Sequence, residues 1–475
     1  MKTRRTDHVR LWEIKVKRFG KQIIGLILLI ALLCLFACAD DPTQPVDAVS
    51  NEPSASKTPT QEPEAIDEIV VHAETERTPE ASPVPTAAPT PEETPEPAPT
   101  QTPVPSPAFV TIGAVGDIMI TSQIVLDAKI SGDTYDFTEL FAPFSDLFHS
   151  VDFMCGNFET PLAGKEEGFA SRKDTKTNAY LFNAPDSVLD ALKSSGLDLL
   201  TTANNHCMDC GADGLYRTIE MIRTAGFYQT GTYTDAADRE KPCIVEINGV
   251  RIGFVASTKV LNVNHSKKDI GSEEKQTSIG FLTDGNNLSE AVIADIARTR
   301  KAGAEFIIVF AHWDFESDNP VADVTRAQAK QLFEAGADCI IGSHPHRVKG
   351  AEYVTVQRED GPYTGLVLYS LGNFTANNRF ELMVGMFAKI TLRKDFETGR
   401  VTLYDAEVLP TFVIRRAGKT QRFTVVPAYA DPDRITGLRS PLTNAEKQSI
   451  AKARAHAFKR FGTVDGVRVL DEPTE

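Results

Sequence analysis

Five short motifs carry most of the chemistry-bearing side chains of this sequence, and each follows an apolar run. They are Gly116-Asp117, Gly156-Asn157-Phe158-Glu159, Asn204-Asn205-His206, His312-Trp313 and His344-Pro345-His346. Carboxylates, an amide oxygen and imidazoles make a mixed O/N donor set. Such a set suits Zn, Mn or Fe, as one divalent ion or two side by side. Four of the nine histidines fall in these motifs, so the donors are concentrated. Asp117, closing a strand, can hold an ion at fixed depth, and Glu159 can bridge two. Asn205 offers an amide oxygen, and His206 beside it can protonate a leaving group. His312 ends an apolar stretch. His344 and His346 flank Pro345; in an extended segment residues i and i+2 point the same way, so both rings are expected to face one site.

These residues need a scaffold, and the apolar periodicity supplies one. Strands are expected at 109–115, 151–155, 197–203, 250–256, 306–311, 338–341 and 366–371, with helices at 187–194, 214–225, 288–302 and 325–335. Helices alternating with strands imply an α/β sheet with crossover connections, in which ligands collect at the carboxyl ends of the strands. Each motif sits at such an end. The region from 109 to about 420 reads as one folded domain. The remainder, 421–475, reads as an extension with one amphipathic helix over 444–461.

The first 108 residues are of another kind. Residues 22–39 are almost wholly apolar and follow Lys15, Lys17, Arg18 and Lys21, the layout of a secretory signal. Leu35-Phe36-Ala37-Cys38 resembles a bacterial lipobox with Cys38 as the lipidated residue. An uncleaved membrane helix is the other reading, since about 18 apolar residues can just span a bilayer. Both readings anchor residues 1–39 at the membrane and place the rest on its extracytoplasmic face. Residues 40–108 hold 16 of the 28 prolines, with 14 acidic and 2 basic residues, about −12 of the formal −15. High charge with little apolar surface forbids a packed core, so this segment is expected to be a disordered, extended stalk. The folded part is then near neutral. It has no basic patch with interleaved aromatics, so nucleic acid is not an expected partner. Five cysteines remain beyond the signal region. Cys207 and Cys210 are spaced for a disulfide in an exported protein, or are two small residues of a tight loop.

Six motifs in order give the chain a family likeness. Gly116-Asp117-Ile118-Met119, Gly156-Asn157-Phe158-Glu159-Thr160-Pro161-Leu162 and Ala203-Asn204-Asn205-His206 with Asp209 and Gly211 come first. His312-Trp313 with Glu316, Gly342-Ser343-His344-Pro345-His346 and Tyr369-Ser370-Leu371-Gly372-Asn373-Phe374 follow. On these residues the chain resembles the CapA family, the poly-γ-glutamate capsule synthesis proteins, within the calcineurin-like metallophosphoesterase fold. The resemblance implies a layered α/β sandwich. It implies a metal set of Asp117, Glu159, Asn205, His312, His344 and His346, with His206 as the leaving-group acid, Asp209 orienting it, and hydroxide on the metal as nucleophile. Arg347, Lys349 and Asn373 are the expected substrate-binding groups; the two cations stand where the family commonly has apolar and amide residues, and would suit a polyanion. There are departures: Met119 stands where phosphoesterases carry His, Glu159 where they carry Asp, and Asp314 where the family commonly has Gly. The implied role is a metal-dependent hydrolase or transferase of an anionic polymer such as poly-γ-glutamate, working with capsule synthesis or export proteins. A non-catalytic polymer-gripping part of an export complex is the alternative, and a surface phosphodiesterase or nucleotidase a second.

Overall fold

Long apolar runs become strands here because each of their two faces meets a different core. In the computed structural model the described residues are 106–173, 180–262, 277–376, 379–416 and 422–471. The apolar segment 22–39, Cys38 and the linker up to residue 105 lie outside them. No helix among the described residues is long and apolar enough to cross a membrane.

The first sheet is built from β1 (Ala108–Ile118), β2 (Phe153–Phe158), β3 (Leu199–Thr201) and β4 (Tyr228–Thr230). The second contains β5 (Cys243–Ile247), β6 (Val250–Thr258), β7 (Phe306–His312), β8 (Cys339–Ser343), β9 (Val348–Arg358) and β10 (Gly361–Leu371). The chain then returns to the first sheet with β11 (Asn373–Thr375), β12 (Val384–Lys394), β13 (Val401–Arg415), β14 (Phe423–Pro427) and β15 (Val467–Val469). The first sheet runs β14-β13-β12-β1-β2-β3-β4, with β11 on β1 and β15 on β13; the second runs β9-β10-β8-β7-β6-β5. Parallel pairs β1–β2–β3–β4 and β6–β7–β8–β10 form the two centres, and antiparallel strands flank them.

The two sheets share one core. Val110, Ile112 and Ala114 of β1 belong to the same buried cluster as Ile252 and Phe254 of β6 and Ile308 and Phe310 of β7. The alternate residues of β7, Ile307 and Val309, turn to the opposite face. There they meet Val292 and Ile296 of α3 (Glu290–Lys301) and Leu332 and Phe333 of α4 (Asp323–Glu334). Likewise Met154 and Leu200 of the first sheet cluster with Leu189 and Leu192 of α1 (Ser187–Ser194) and Ile222 of α2 (Gly211–Thr224). The layers are therefore helix, sheet, sheet, helix, and a strand buried on both faces reads as continuously apolar. The fold is a mixed α/β sandwich.

Several elements differ from the sequence reading. Several strands run further than their apolar cores, because ladder pairing continues past the last apolar side chain, whereas the strand expected over 197–203 pairs only at Leu199–Thr201. β1, for example, carries Gly116 and Asp117 within it, with Asp117 opposite Asn373. The segment 421–475 is no appendage: β14 and β15 pair with β13, and α5 (Asn444–Phe461) adds Ile450, Ala453, Ala457 and Phe461 to the shared core.

Candidate metal centre

The carboxyl ends of the parallel strands of both sheets converge. β1 delivers Asp117, β2 is followed by Glu159, and β3 by Asn205 and His206. From the second sheet β7 delivers His312, and the turn after β8 delivers His344 and His346. Small residues allow this approach. A Cβ on Gly116 would stand 1.8 Å from the carbonyl oxygen of Gly372, and one on Gly342 2.0 Å from that of Tyr369. The Asp117 amide donates to that same Gly372 carbonyl at 3.0 Å.

Glu159 is fully buried and lies at the middle of the cluster. Its Oε1 stands 3.6 Å from His312 Nε2, 3.9 Å from His346 Nε2 and 4.0 Å from His206 Nε2, and it accepts no hydrogen bond. Burial, then the neighbouring Asp117 carboxylate, pushes its pKa well up. A buried carboxylate oxygen ringed by imidazole nitrogens, all beyond hydrogen-bond distance, has the donor chemistry and spacing for a cation between them. Three overlapping groups bring donor atoms within 4.8 Å of one another: Glu159 with His312 and His344, Asp117 with Glu159 and His346, and the exposed Glu316 with His344 and His346.

The imidazoles are oriented from behind. His312 directs Nδ1 at the Ser343 hydroxyl, 2.9 Å away, and Nε2 at the amide oxygen of Asn205, also 2.9 Å away. Burial and the adjacent His344, His346 and His206 hold its pKa well down. Burial and His346 bring His344 down to about 3. His346 faces Asp117 Oδ2 at 3.1 Å and Asn373 Oδ1 at 2.9 Å through Nδ1. Burial lowers its pKa, but the Asp117 carboxylate outweighs burial and the net shift is upward. Neutral His312 and His344 are the form in which imidazole binds metal.

His206 forms a dyad with Asp209, Nδ1 to Oδ2 at 2.7 Å. Asp209 is itself fixed by the Phe182 amide at 2.8 Å and by the Asn262 side chain at 3.1 Å. The dyad leaves His206 Nε2 on the Glu159 side.

The structure brings together Asp117, Glu159, Asn205, His206, Asp209, His312, His344 and His346, and corrects some details. The His344–His346 segment is not extended: φ is 94° at His344 and 55° at His346. The two rings, 6.1 Å apart, converge through left-handed backbone, not through strand alternation. Positive φ in non-glycine residues is uncommon and clusters at functional sites. Asp314 also has positive φ, 64°, a backbone region that favours glycine. Lys349 is not presented to solvent. It is 3 % exposed, donates to the carbonyls of Ser317 and Asn319, and faces Asp314 Oδ2 at 3.8 Å. Asn373 holds His346, and donates to the Leu382 carbonyl at 2.8 Å. Arg347 pairs with the exposed Asp318 at 2.9 Å. Cys207 and Cys210 are free thiols, and burial pushes each to about 12.

Asn157 joins the cluster without having been among the expected site residues. Asn157 donates through Nδ2 to Asp117 at 2.8 Å and lies 3.3 Å from Glu159 Oε2, so it braces both carboxylates. Its signal was present: it is the polar residue of Gly156-Asn157-Phe158-Glu159 inside a buried strand.

The sandwich and its histidine–carboxylate cluster define an α/β protein with a candidate divalent-metal centre. The chain belongs to the bacterial capsule synthesis protein PGA_cap family, whose sequence pattern matches residues 111–378. It is 28 % identical over 268 residues to the capsule biosynthesis protein CapA of Bacillus anthracis, covering 56 % of this chain and 59 % of that protein. It is 28 % identical over 305 residues to the PGA biosynthesis protein CapA of Bacillus subtilis, covering 62 % of this chain and 72 % of that one. The chain thus spans less than two thirds of the first relative's length. Among solved structures, a novel phosphatase from Mycoplasma pneumoniae superposes with a TM-score of 0.33 at 12 % identity, over 64 % of this chain and 93 % of that one.

Proposed function

We infer that this protein acts in poly-γ-glutamate capsule synthesis or export, at the extracytoplasmic face of the membrane, with a metal-dependent hydrolase-type centre of metallophosphoesterase kind. Family membership supports the capsule role. The observation that carries the chemistry is Glu159 Oε1, buried and without a hydrogen bond, with imidazole nitrogens at 3.6–4.0 Å. A divalent cation bound there would supply Lewis-acid charge for attack on an amide or phosphoester. Glu159, Asn205, His312 and His344, with Asp117 and His346, would hold it. Asn157 braces the two carboxylates. In hydrolysis, water adds to the carbonyl carbon or phosphorus and the leaving nitrogen or oxygen takes a proton. His206 Nε2 is placed to give that proton, with Asp209 on Nδ1 fixing the ring. Anchoring through Cys38 or the apolar segment, followed by the acidic stalk, holds this centre away from the bilayer, where an emerging anionic polymer passes.

The test is to incubate purified full-length protein with poly-γ-glutamate and Mn, Zn or Fe and to follow polymer length by gel filtration. Wild type shortens the chain. His206→Ala retains its metal and loses about 10²–10⁴-fold in rate. Metal-loaded protein that retains polymer on a column without ever changing its length would replace this reading with the gripping role.

A further inference from the structure

A cavity of about 470 Å³ opens between the loop after β7, the start of β9 and the last turns of α5. That size is ordinary for a ligand pocket, which spans roughly 300–1,000 Å³. Two elements of its frame leave the metal cluster directly. β9 starts at Val348, two residues after His346, and Asp318 stands two residues past Glu316, whose carboxylate lies within 4.8 Å of ring nitrogens of His344 and His346. Cations crowd the wall. Lys349, Lys459 and Arg460 line it with Asp318 among them, while Arg326 and Glu352 also line it but pair with each other. Asp318 serves two guanidiniums at once: its Oδ1 stands 2.9 Å from Arg347 Nε and 3.3 Å from Arg460 Nη1. These arginine side chains are 14 % and 18 % exposed, and the carboxylate is 72 % exposed. Asp318 accepts a hydrogen bond from Arg460, but Arg347 Nε is buried without one. His456 Nε2, on another residue lining the cavity, is likewise buried without a partner. Burial and the neighbouring Arg347 outweigh Asp318 and hold the Arg460 pKa below its usual value, the mark of two cations repelling each other. Lys349 adds a third nearly buried cation, with Asp314 3.8 Å away. A cleft with an excess of one sign draws the opposite sign, and paired guanidiniums are the groups that grip carboxylates as a fork. Asp318, an exposed side chain directing one oxygen at both arginines, falls short of that grip. Pro320, Val321 and Ala351 supply an apolar part of the lining.

We propose that this cavity is a subsite for a carboxylate of the anionic polymer, taken by Arg460 and Arg347, with Asp318 holding the place of the incoming group; this rests on the poly-γ-glutamate reading above. Each glutamyl unit brings a carboxylate for the arginines and methylenes for the apolar lining. Asp318 turns out to solvent as the polymer enters. Arg460 comes from α5, so a segment far in sequence from the metal donors selects the substrate.

The test titrates the full chain in detergent with a short γ-linked glutamate oligomer, followed by calorimetry, with chelator present so that the metal centre contributes nothing. Wild type is expected to bind, more weakly as salt rises. Arg460→Gln weakens binding by about 10–100-fold. Arg460 also donates to the Val348 carbonyl, so the exposed Lys459 gives a second variant that leaves that tie intact. Lys459→Gln weakens binding by about 2–5-fold, and Asp318→Asn tightens it by about 2–5-fold. Asp318→Asn that weakens binding makes Asp318 a clamp on its loop and overturns the proposal. So does Arg460→Gln or Lys459→Gln at wild-type affinity. Polyphosphate of equal charge that displaces the oligomer as readily as free oligomer does overturns the assignment to carboxylates. Wild type that shortens the polymer when loaded with metal, yet binds no oligomer here, overturns the subsite alone. Oligomer bound through Arg460, with long polymer never shortened once metal is restored, upholds the subsite and removes the hydrolase reading.

Discussion

At the scale of single residues, the centre depends on groups that orient others. Asp209 touches no donor group of the candidate metal set, yet its Oδ2 receives both His206 Nδ1 and the Phe182 amide. Asp209→Asn keeps the shape and removes the charge, so the His206 ring loses its preferred tautomer. We expect turnover to fall about 10–100-fold while metal content stays at the wild-type level. Elemental analysis beside the polymer-length assay separates the two; a parallel loss of metal would make Asp209 part of the metal scaffold instead. The clustering of the candidate donors was legible in sequence, because Asp, Glu, Asn and His recur at the ends of successive apolar runs. What was not legible depends on contacts distant in sequence. The left-handed turn at His344 and His346, the bracing by Asn157, and the burial of Lys349 against the carbonyls of Ser317 and Asn319 arise only when the sheets come together.

At the scale of elements, polar fixtures decide where helices sit. Arg239, on the short helix Ala236–Arg239, reaches Asp295 of α3 through two nitrogens at 3.1 and 2.6 Å, and donates to the Thr277 carbonyl at 3.0 Å. Both side chains are nearly buried, 10 % and 6 % exposed. Asp295→Ala strands the guanidinium, and we expect a loss of about 3–5 kcal/mol in chemical denaturation. A loss below 1 kcal/mol would mean that water reaches Arg239 freely. The cap of α5 is gentler. Thr443 and Glu446 form a capping box, and Arg416 meets the Glu446 carboxylate at 3.1 Å. Burial raises the Glu446 pKa, but the Thr443 amide, Arg416 and the Thr443 hydroxyl outweigh it, and the net shift is downward. A depressed carboxylate stabilises the fold above its unfolded pKa of about 4.3, and that stability drains as pH falls through the lower folded value. Thr443→Ala should cost about 1 kcal/mol at neutral pH and flatten the acid limb of the melting curve. An acid limb that keeps its slope would place the effect elsewhere. This capping box and the apolar stripe are why the helix over 444–461 could be read from sequence to the residue. The antiparallel strands β9, β12 and β13 could not, because their outward faces carry charge. Glu407 of β13, for instance, is buried against Lys389 of β12 at 3.1 Å, a pairing invisible without the register.

At the scale of the whole molecule, the last fifty residues close the sandwich. β13 is an edge without β14 and β15: its residues Thr411–Arg415 pair with Pro427–Phe423 and Ala406–Val408 with Val467–Val469. α5 then covers the open end of the inter-sheet core with Ile450, Ala453, Ala457 and Phe461. Within this segment Arg454 reaches the Ala428 carbonyl at 3.0 Å, and Arg460 ties it to the rest of the sandwich through the Val348 carbonyl at 3.0 Å. Val348 begins β9, two residues after His346, so the segment also steadies the strand that leaves the metal turn. Ending the chain at residue 420 would therefore expose a long apolar edge strand and one flank of the core. Edge strands of that kind pair with other chains. We expect the chain 106–420 to aggregate on refolding, whereas 106–475 refolds to a soluble species with a single cooperative melt. Size-exclusion chromatography coupled to light scattering reads both. A monomeric 106–420 with the same melting temperature would mean that the sandwich closes without its C-terminal strands and helix.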